Sequence, residues 1–285
     1  MHDVHARPQS TRRREPLRPS TLSERLTDSK FDQPIVRVMS FSLRKWYLDC
    51  IAEDGELAVA YCAELRWGKL ALSYASLLQL DDAPGTRVRS TLRACPEPEL
   101  AGQRLSWVAP ALGISGTWDA RASGFSAELS KGVLWECVQP RSQVELRLPD
   151  GRMLLGLGYA EILTLTIPPW RLPIRELRWG RFAGAEHGSV WIEWQGPHPV
   201  NLVLIDGAPA ELSIDGVLRL SESRVLRSGR IGETALSIIP DLERVFPGRI
   251  VGLEETKWRS RGALTLAGAP VENGWAIHEV VRWPP

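Results

Sequence analysis

From Ile35 onward the chain alternates. Ile35, Val36, Val38, Met39, Phe41 and Leu43 lead into Trp46-Tyr47-Leu48-Asp49-Cys50-Ile51, and Leu57 to Ala63 resume the apolar run after Asp54-Gly55. Two β-prone runs around an Asp-Gly predict a hairpin. The same device recurs at Asp150-Gly151, Asp206-Gly207, Asp215-Gly216 and Asn273-Gly274, flanked by residues such as Leu202, Leu204, Leu212, Ile214 and Leu218. Helical periodicity is nearly absent. One short helix is predicted over Asp241–Phe246, stopped by Pro247-Gly248. Pro96, Pro98 and Gly102 predict a loop, Pro140 and Pro149 bracket a strand from Val144 to Leu148, and Gly274 to Trp283 reads as a final strand. The pattern predicts an all-β protein of antiparallel sheets with few short helices.

The chain also repeats itself. Tyr47-Leu48-Asp49 and Leu65-Arg66-Trp67-Gly68 reappear as Tyr159-Ala160-Glu161 and Leu177-Arg178-Trp179-Gly180, both at an offset of 112 residues. Two matches at one offset point to a duplicated unit. They divide the chain into a tail over 1–30, an N-terminal β domain over 31–150 and a C-terminal one over 151–285, with the boundary at Asp150-Gly151. Closing each sheet into a barrel removes the edges that all-β chains must otherwise protect. A barrel of about eight strands has room inside for one small ligand.

Charge narrows the partners. The formal net charge is +1, which gives no global case for nucleic acid. Five arginines (Arg7, Arg12, Arg13, Arg14 and Arg18) against Asp3 and Glu15 make the tail basic, and its Pro/Arg/Ser composition predicts disorder. That cluster leaves peripheral contact with anionic lipid open, but a solvated tail is the simpler reading. Thr21–Asp28 is long enough for a weak helical turn. No signal-peptide core and no apolar run near the ~18 residues of a membrane span is present, so the expected location is cytoplasmic. Cys50, Cys62, Cys95 and Cys137 form no C-x-x-C pair. They read as reduced, buried thiols, although Cys50 and Cys62 have the spacing to face each other across a hairpin. No metal is expected.

The chain holds 12 Trp against 5 Phe and 4 Tyr. Indoles fill cores, but they also wall cavities for apolar ligands. Amid them Glu161 is a lone carboxylate in a weakly charged run. Tyr159 and Glu161 lie two apart, so on a strand they share a face. Burial would raise the carboxyl pKa and keep it protonated, Tyr159 could hydrogen-bond the carboxylate left after proton transfer, and Trp faces could stabilise a cation by roughly 0.5–2 kcal/mol each. The competing reading is a structural bridge from Glu161 to Arg178 or Arg181, with Asp49 bridged likewise in the first half. His187 and His278 are candidate proton carriers near neutrality. Gly156-Leu157-Gly158 is followed by strand residues rather than a helix, so no dinucleotide cofactor is expected.

The Trp46-Tyr-x-Asp49 start, the Gly156-x-Gly-Tyr-x-Glu161 step, the Arg-Trp-Gly repeats and the terminal His278-Glu-x-x-x-Trp-Pro resemble the tandem lipocalin-like proteins. These include carotenoid 1,2-hydratases (hydroxyneurosporene synthases), AttH-like proteins and polyene cyclases. The resemblance covers about residues 35–285. It implies two lipocalin-like barrels, a ligand site near their junction and cofactor-free chemistry on a small apolar, isoprenoid- or polyene-like molecule. It places Glu161 as the proton donor to a carbon–carbon double bond, assisted by Tyr159, with Trp135 nearby; Trp179, Trp170 and His187 are further candidate substrate contacts. The hydratases carry a His-x-Trp pair about 25 residues upstream of the tyrosine. Here Trp135 fills the Trp place, but Val133 stands where the histidine would be, which leaves a non-catalytic lipid or pigment carrier as the alternative. Glu136 is polar but points to the opposite face of a strand. Neither oligomeric state nor substrate identity is legible.

Overall fold

The computed structural model describes residues 40–81, 85–239, 241, 244 and 246–284. The basic tail, the Thr21–Asp28 turn and half of the Asp241–Phe246 helix lie outside them. The first sheet contains β1 (Phe41–Ile51), β2 (Leu57–Trp67), β3 (Leu70–Leu80), β4 (Arg87–Thr91), β5 (Glu99–Ala101), β6 (Arg104–Ala109), β7 (Ile114–Ala120), β8 (Phe125–Ser130), β9 (Val133–Arg147) and β10 (Met153–Leu165). Its order is β4-β3-β2-β1-β10-β9-β7-β6-β5, with β8 also on β9. The second contains β11 (Glu176–Gly184), β12 (Gly188–Gln195), β13 (Val200–Ile205), β14 (Ala208–Pro209), β15 (Leu218–Arg230), β16 (Glu254–Leu264) and β17 (Glu272–Arg282). There the order is β14-β13-β12-β11-β17-β16-β15. Helical elements among the described residues are α1 (Ile214–Val217), α2 (Gly248–Val251) and a 3₁₀ turn at Pro169–Arg171, and Arg244, inside the expected Asp241–Phe246 helix, is also helical. Both sheets are antiparallel throughout, as the alternation predicts, and both belong to one compact unit, Met39–Pro285.

Three of the five Asp/Asn-Gly steps are hairpin turns. Gly55 and Gly151 take φ of +92° and +88°, and Asp206-Gly207 takes +50° and +82°, a region that glycine enters without steric cost. The other two are not turns between strands. Asp215-Gly216 lies inside α1. Asn273-Gly274 sits within β17, where Gly274 is flanked by Gly184 and Gly262 on the neighbouring strands. A Cβ on Gly274 would collide with the Ala183 carbonyl oxygen, so close strand packing, not a turn, requires this glycine. Pro140 also lies inside β9 rather than before it. The β9–β10 register slips between Gly158 and Glu161, and such bulges bend a strand and re-aim its side chains.

Asp150-Gly151 joins β9 to β10 within the first sheet, and the chain crosses to the second sheet only after Leu165. β10 opens the second sequence repeat, yet it is inserted between β1 and β9, while β11 pairs directly with β17. Each repeat's Tyr-x-acid step therefore lies beside the other, with Tyr47 opposite Glu161 and Asp49 opposite Tyr159.

Alternate residues of β1 divide between two cores. Trp46, Leu48 and Cys50 join Ala60, Leu77, Trp107 and Trp118 in one buried cluster, so the first sheet curls around its own filled interior. Tyr47 and Ile51 face the other way and pack with Tyr159, Trp135, Trp179 and Ile277 from both sheets. The expected interior pocket is thus occupied by side chains, and the space for a guest lies between the sheets. All four cysteines are free and buried. Cys62 pairs with Trp46 across β1 and β2, and Cys50 with Ala58, so the hairpin register keeps the two thiols apart.

The glycines of Gly156-Leu157-Gly158 let β10 approach β1. A Cβ on Gly158 would collide with the Asp49 carbonyl oxygen and Val144 Cγ2. Gly158→Ala is expected to lose about 1–3 kcal/mol by overpacking, read as a lowered urea midpoint. Gly216→Ala, where a Cβ meets open space, should leave that midpoint almost unmoved.

Candidate functional site

The duplicated acids have the same tyrosine and different company. Tyr47 donates to Asp49 Oδ2 at 3.0 Å, and Tyr159 donates to Glu161 Oε2 at 2.7 Å. Asp49 is then gripped by the Arg181 guanidinium, Nη2 to Oδ1 at 2.6 Å and Nε to Oδ2 at 3.0 Å, with both side chains fully buried. Burial pushes the Asp49 carboxyl up, and Arg181 opposes that shift. The structural bridge foreseen for these acids thus exists for Asp49 and is built across the two sheets.

Among the described residues no guanidinium pairs with Glu161. Arg181 is committed to Asp49, and Arg178 is half-exposed and paired with Glu176 at 2.8 Å. Instead, Glu161 Oε2 accepts from three neutral donors: Trp135 Nε1 at 2.6 Å, Tyr159 Oη at 2.7 Å and Trp179 Nε1 at 3.1 Å. Oε1 accepts no hydrogen bond among the described residues. Burial raises the Glu161 carboxyl pKa, with Lys45 and the Trp135 and Tyr159 hydrogen bonds acting against it. Desolvation wins because the bonds come from neutral groups, while the penalty falls on a full charge.

Glu161 sits on a cavity of about 360 Å³ between the sheets. Its wall is largely apolar and aromatic, including Trp135, Trp170, Trp179, Trp194 and Leu163. A space of this size suits a small molecule. The charged residues on the wall are Lys45, Glu161, Arg227, Glu255 and Glu279. Arg227 Nη2 meets Glu255 Oε1 at 2.7 Å, and Lys257 pairs with Glu279. Burial alone would lift the Glu279 carboxyl, but Lys257 and Lys45 outweigh it and hold it below the usual range. Two carboxyls on one wall are thus driven apart, Glu161 toward the neutral acid and Glu279 toward the anion, a pattern that separates proton donors from structural charges.

Of the expected site residues, Glu161, Trp135 and Trp179 come together on the cavity, and Trp170 lines it farther along. Tyr159 is fully buried behind Glu161 and holds its Oε2, so it positions the acid. His187 does not reach the cavity. Its Nδ1 meets Asp206 Oδ2 at 2.7 Å, and this bond raises its pKa. Glu136 lies off the cavity wall, near Arg44 at 4.0 Å. Val133, in the place of the hydratase histidine, lines the cavity with an apolar surface.

His278 is also no proton carrier near neutrality. It stacks on Trp258 at 5.1 Å and contacts Ser260 Oγ through Nε2 at 2.9 Å. Burial, then Lys257, push its pKa down to about 4. Because the folded state resists a proton that the unfolded state takes up below pH 6.5, stability is present above that pH and lost as pH falls toward 4. The loss is on the order of 3 kcal/mol. His278→Gln is expected to flatten this part of the stability-versus-pH curve, as measured by urea midpoints.

Sequence reasoning missed Lys45 and the Arg227, Glu255, Lys257 and Glu279 group. Lys45 was within reach, since it lies two residues before Tyr47 and so on the same face. The others come from strands whose facing could not be assigned without the second sheet.

No family model matches the chain, and no curated protein matches it significantly. Solved structures do. CghA bound to Sch210972 superposes with a TM-score of 0.55 at 13% identity, covering 85% of this chain and 88% of that one. CghA alone gives 0.54 at 14% over the same shares. Kievitone hydratase from Nectria haematococca gives 0.46 at 12%, over 86% of this chain and 89% of that one. The protein has the tandem lipocalin-like fold of antiparallel sheets that its motifs led us to expect.

Proposed function

We propose that the protein binds a small apolar, isoprenoid- or polyene-like molecule between its sheets and performs acid-initiated hydration, cyclisation or isomerisation on it without a cofactor. Glu161 is the proton donor. The observation that carries this reading is its hydrogen-bond asymmetry: three donors converge on Oε2, while Oε1 accepts none among the described residues. In the neutral acid Oε2 is then the carbonyl oxygen and Oε1 carries the proton, available to a guest. As the proton leaves, charge grows on a carboxylate already held by Trp135, Tyr159 and Trp179. Those hydrogen bonds strengthen with the charge, so they favour the transition state over the ground state.

Val133 favours a second reading, a non-catalytic carrier, because no histidine among the described residues lines the cavity beside the acid. Mass spectrometry of the protein released from its purified state is expected to show an apolar small molecule in near-stoichiometric amount. Incubation should then convert that molecule under the enzyme reading and return it unchanged under the carrier reading. A cavity that never acquires an organic guest from any extract defeats both.

A further inference from the structure

Most charges around the cavity have a close partner. Arg227 is matched by Glu255 and Lys257 by Glu279, and Glu161 is held by three neutral donors. Lys45 stands apart. It makes no ion pair among the described residues, lies over the Tyr61 ring at 5.7 Å and lines the cavity. Glu161 and Glu279 act on it only at longer range. Across β1 and β10, Lys45 stands opposite Leu163 while Tyr47 stands opposite Glu161. The cation is therefore a diagonal neighbour of the acid on one face, at a backbone separation of about 7–8 Å. Half-buried Lys45 is thus a wall cation with no ion-pair partner in contact among the described residues, in an apolar surrounding.

We propose that the ligand carries one carboxylate at the end of its apolar body, and that Lys45 is the residue that binds it. This rests on the binding reading above and adds the ligand's charge and its orientation. Docked on Lys45, the head group fixes which carbon of the apolar body lies against Glu161 Oε1. It also cancels a positive charge that would otherwise oppose a developing carbocation nearby, since like charges in a low-dielectric site repel strongly. Lys45 acts through binding and orientation, with the proton still coming from Glu161.

Retinoate and retinol share one polyene and differ in charge at its end, and both quench indole emission, so tryptophan fluorescence reads their binding. Wild-type protein is expected to prefer retinoate by about tenfold, the scale of a hydrogen bond to a charged group. Lys45→Met should abolish that preference by weakening retinoate alone, and Lys45→Arg should keep it. Equal affinity of the wild type for the two, or equal weakening of both by Lys45→Met, overturns the anion site while leaving the apolar cavity in place. Failure of both retinoids to bind the wild type defeats the cavity-binding reading and this inference with it.

Discussion

Replacing Glu161 with glutamine is expected to lower turnover of the bound molecule by about 10²–10⁴-fold, the usual contribution of a positioned general acid, with affinity essentially unchanged. Glutamine keeps the shape and leaves a carbonyl oxygen for Trp135, Tyr159 and Trp179, but it has no proton to give. Stopped assays on the copurifying molecule, paired with fluorescence titration, separate the two effects. A variant that turns over like the wild type removes Glu161 as donor, and one that loses affinity in proportion assigns it to binding. Wild-type turnover should also decline as pH rises through the raised Glu161 pKa. Stability carries the same signature. Above the ordinary value of 4.5 the unfolded chain releases this proton while the folded chain retains it, so the wild type loses stability as pH rises toward the folded pKa. Glu161→Gln escapes that loss, and its melting temperature should gain on the wild type as pH rises from 4 toward neutrality.

The second large effect concerns the sheets rather than the chemistry. Arg181→Met should cost about 3–5 kcal/mol, because it strands the Asp49 carboxylate in a fully buried site with Tyr47 as its one hydrogen-bonded side-chain partner among the described residues. Against a total stability of about 5–15 kcal/mol for a typical domain, that is enough to unfold much of the population in mild urea. The double variant Asp49→Leu/Arg181→Met should recover most of the loss, since well-packed apolar pairs replace buried ion pairs at little net cost. If the double variant is as unstable as the single one, the bridge serves packing rather than charge compensation.

These two predictions separate residues that the sequence presents as equivalents. Asp49 and Glu161 occupy matching places in a repeat, each two residues after a tyrosine, and each tyrosine bonds its own acid. Their difference comes from Arg181. Its strand, β11, delivers the guanidinium to Asp49 and the indole of Trp179 to Glu161. The Arg-Trp-Gly repeat also diverges in use. Gly68 turns the chain between β2 and β3 with φ of +59°, whereas Gly180 makes room for the Trp191 ring.

By itself the sequence determined the antiparallel β class, the duplicated Tyr-x-acid step and the shared face of Tyr159 and Glu161; its tryptophan count left open whether the indoles fill a core or line a cavity, and they do both. What it determined follows from period-two alternation or from spacing along one strand, which are local properties. Only the tertiary structure decided that β10 enters the first sheet, that this sheet's interior is filled and that the cavity lies between sheets. It alone also decided that Asp49 takes the arginine, that His187 bonds Asp206 off the cavity, and that Lys45 lines the cavity with no ion pair among the described residues. These depend on contacts between strands far apart in the chain, and alternation says which residues share a face without saying what that face meets.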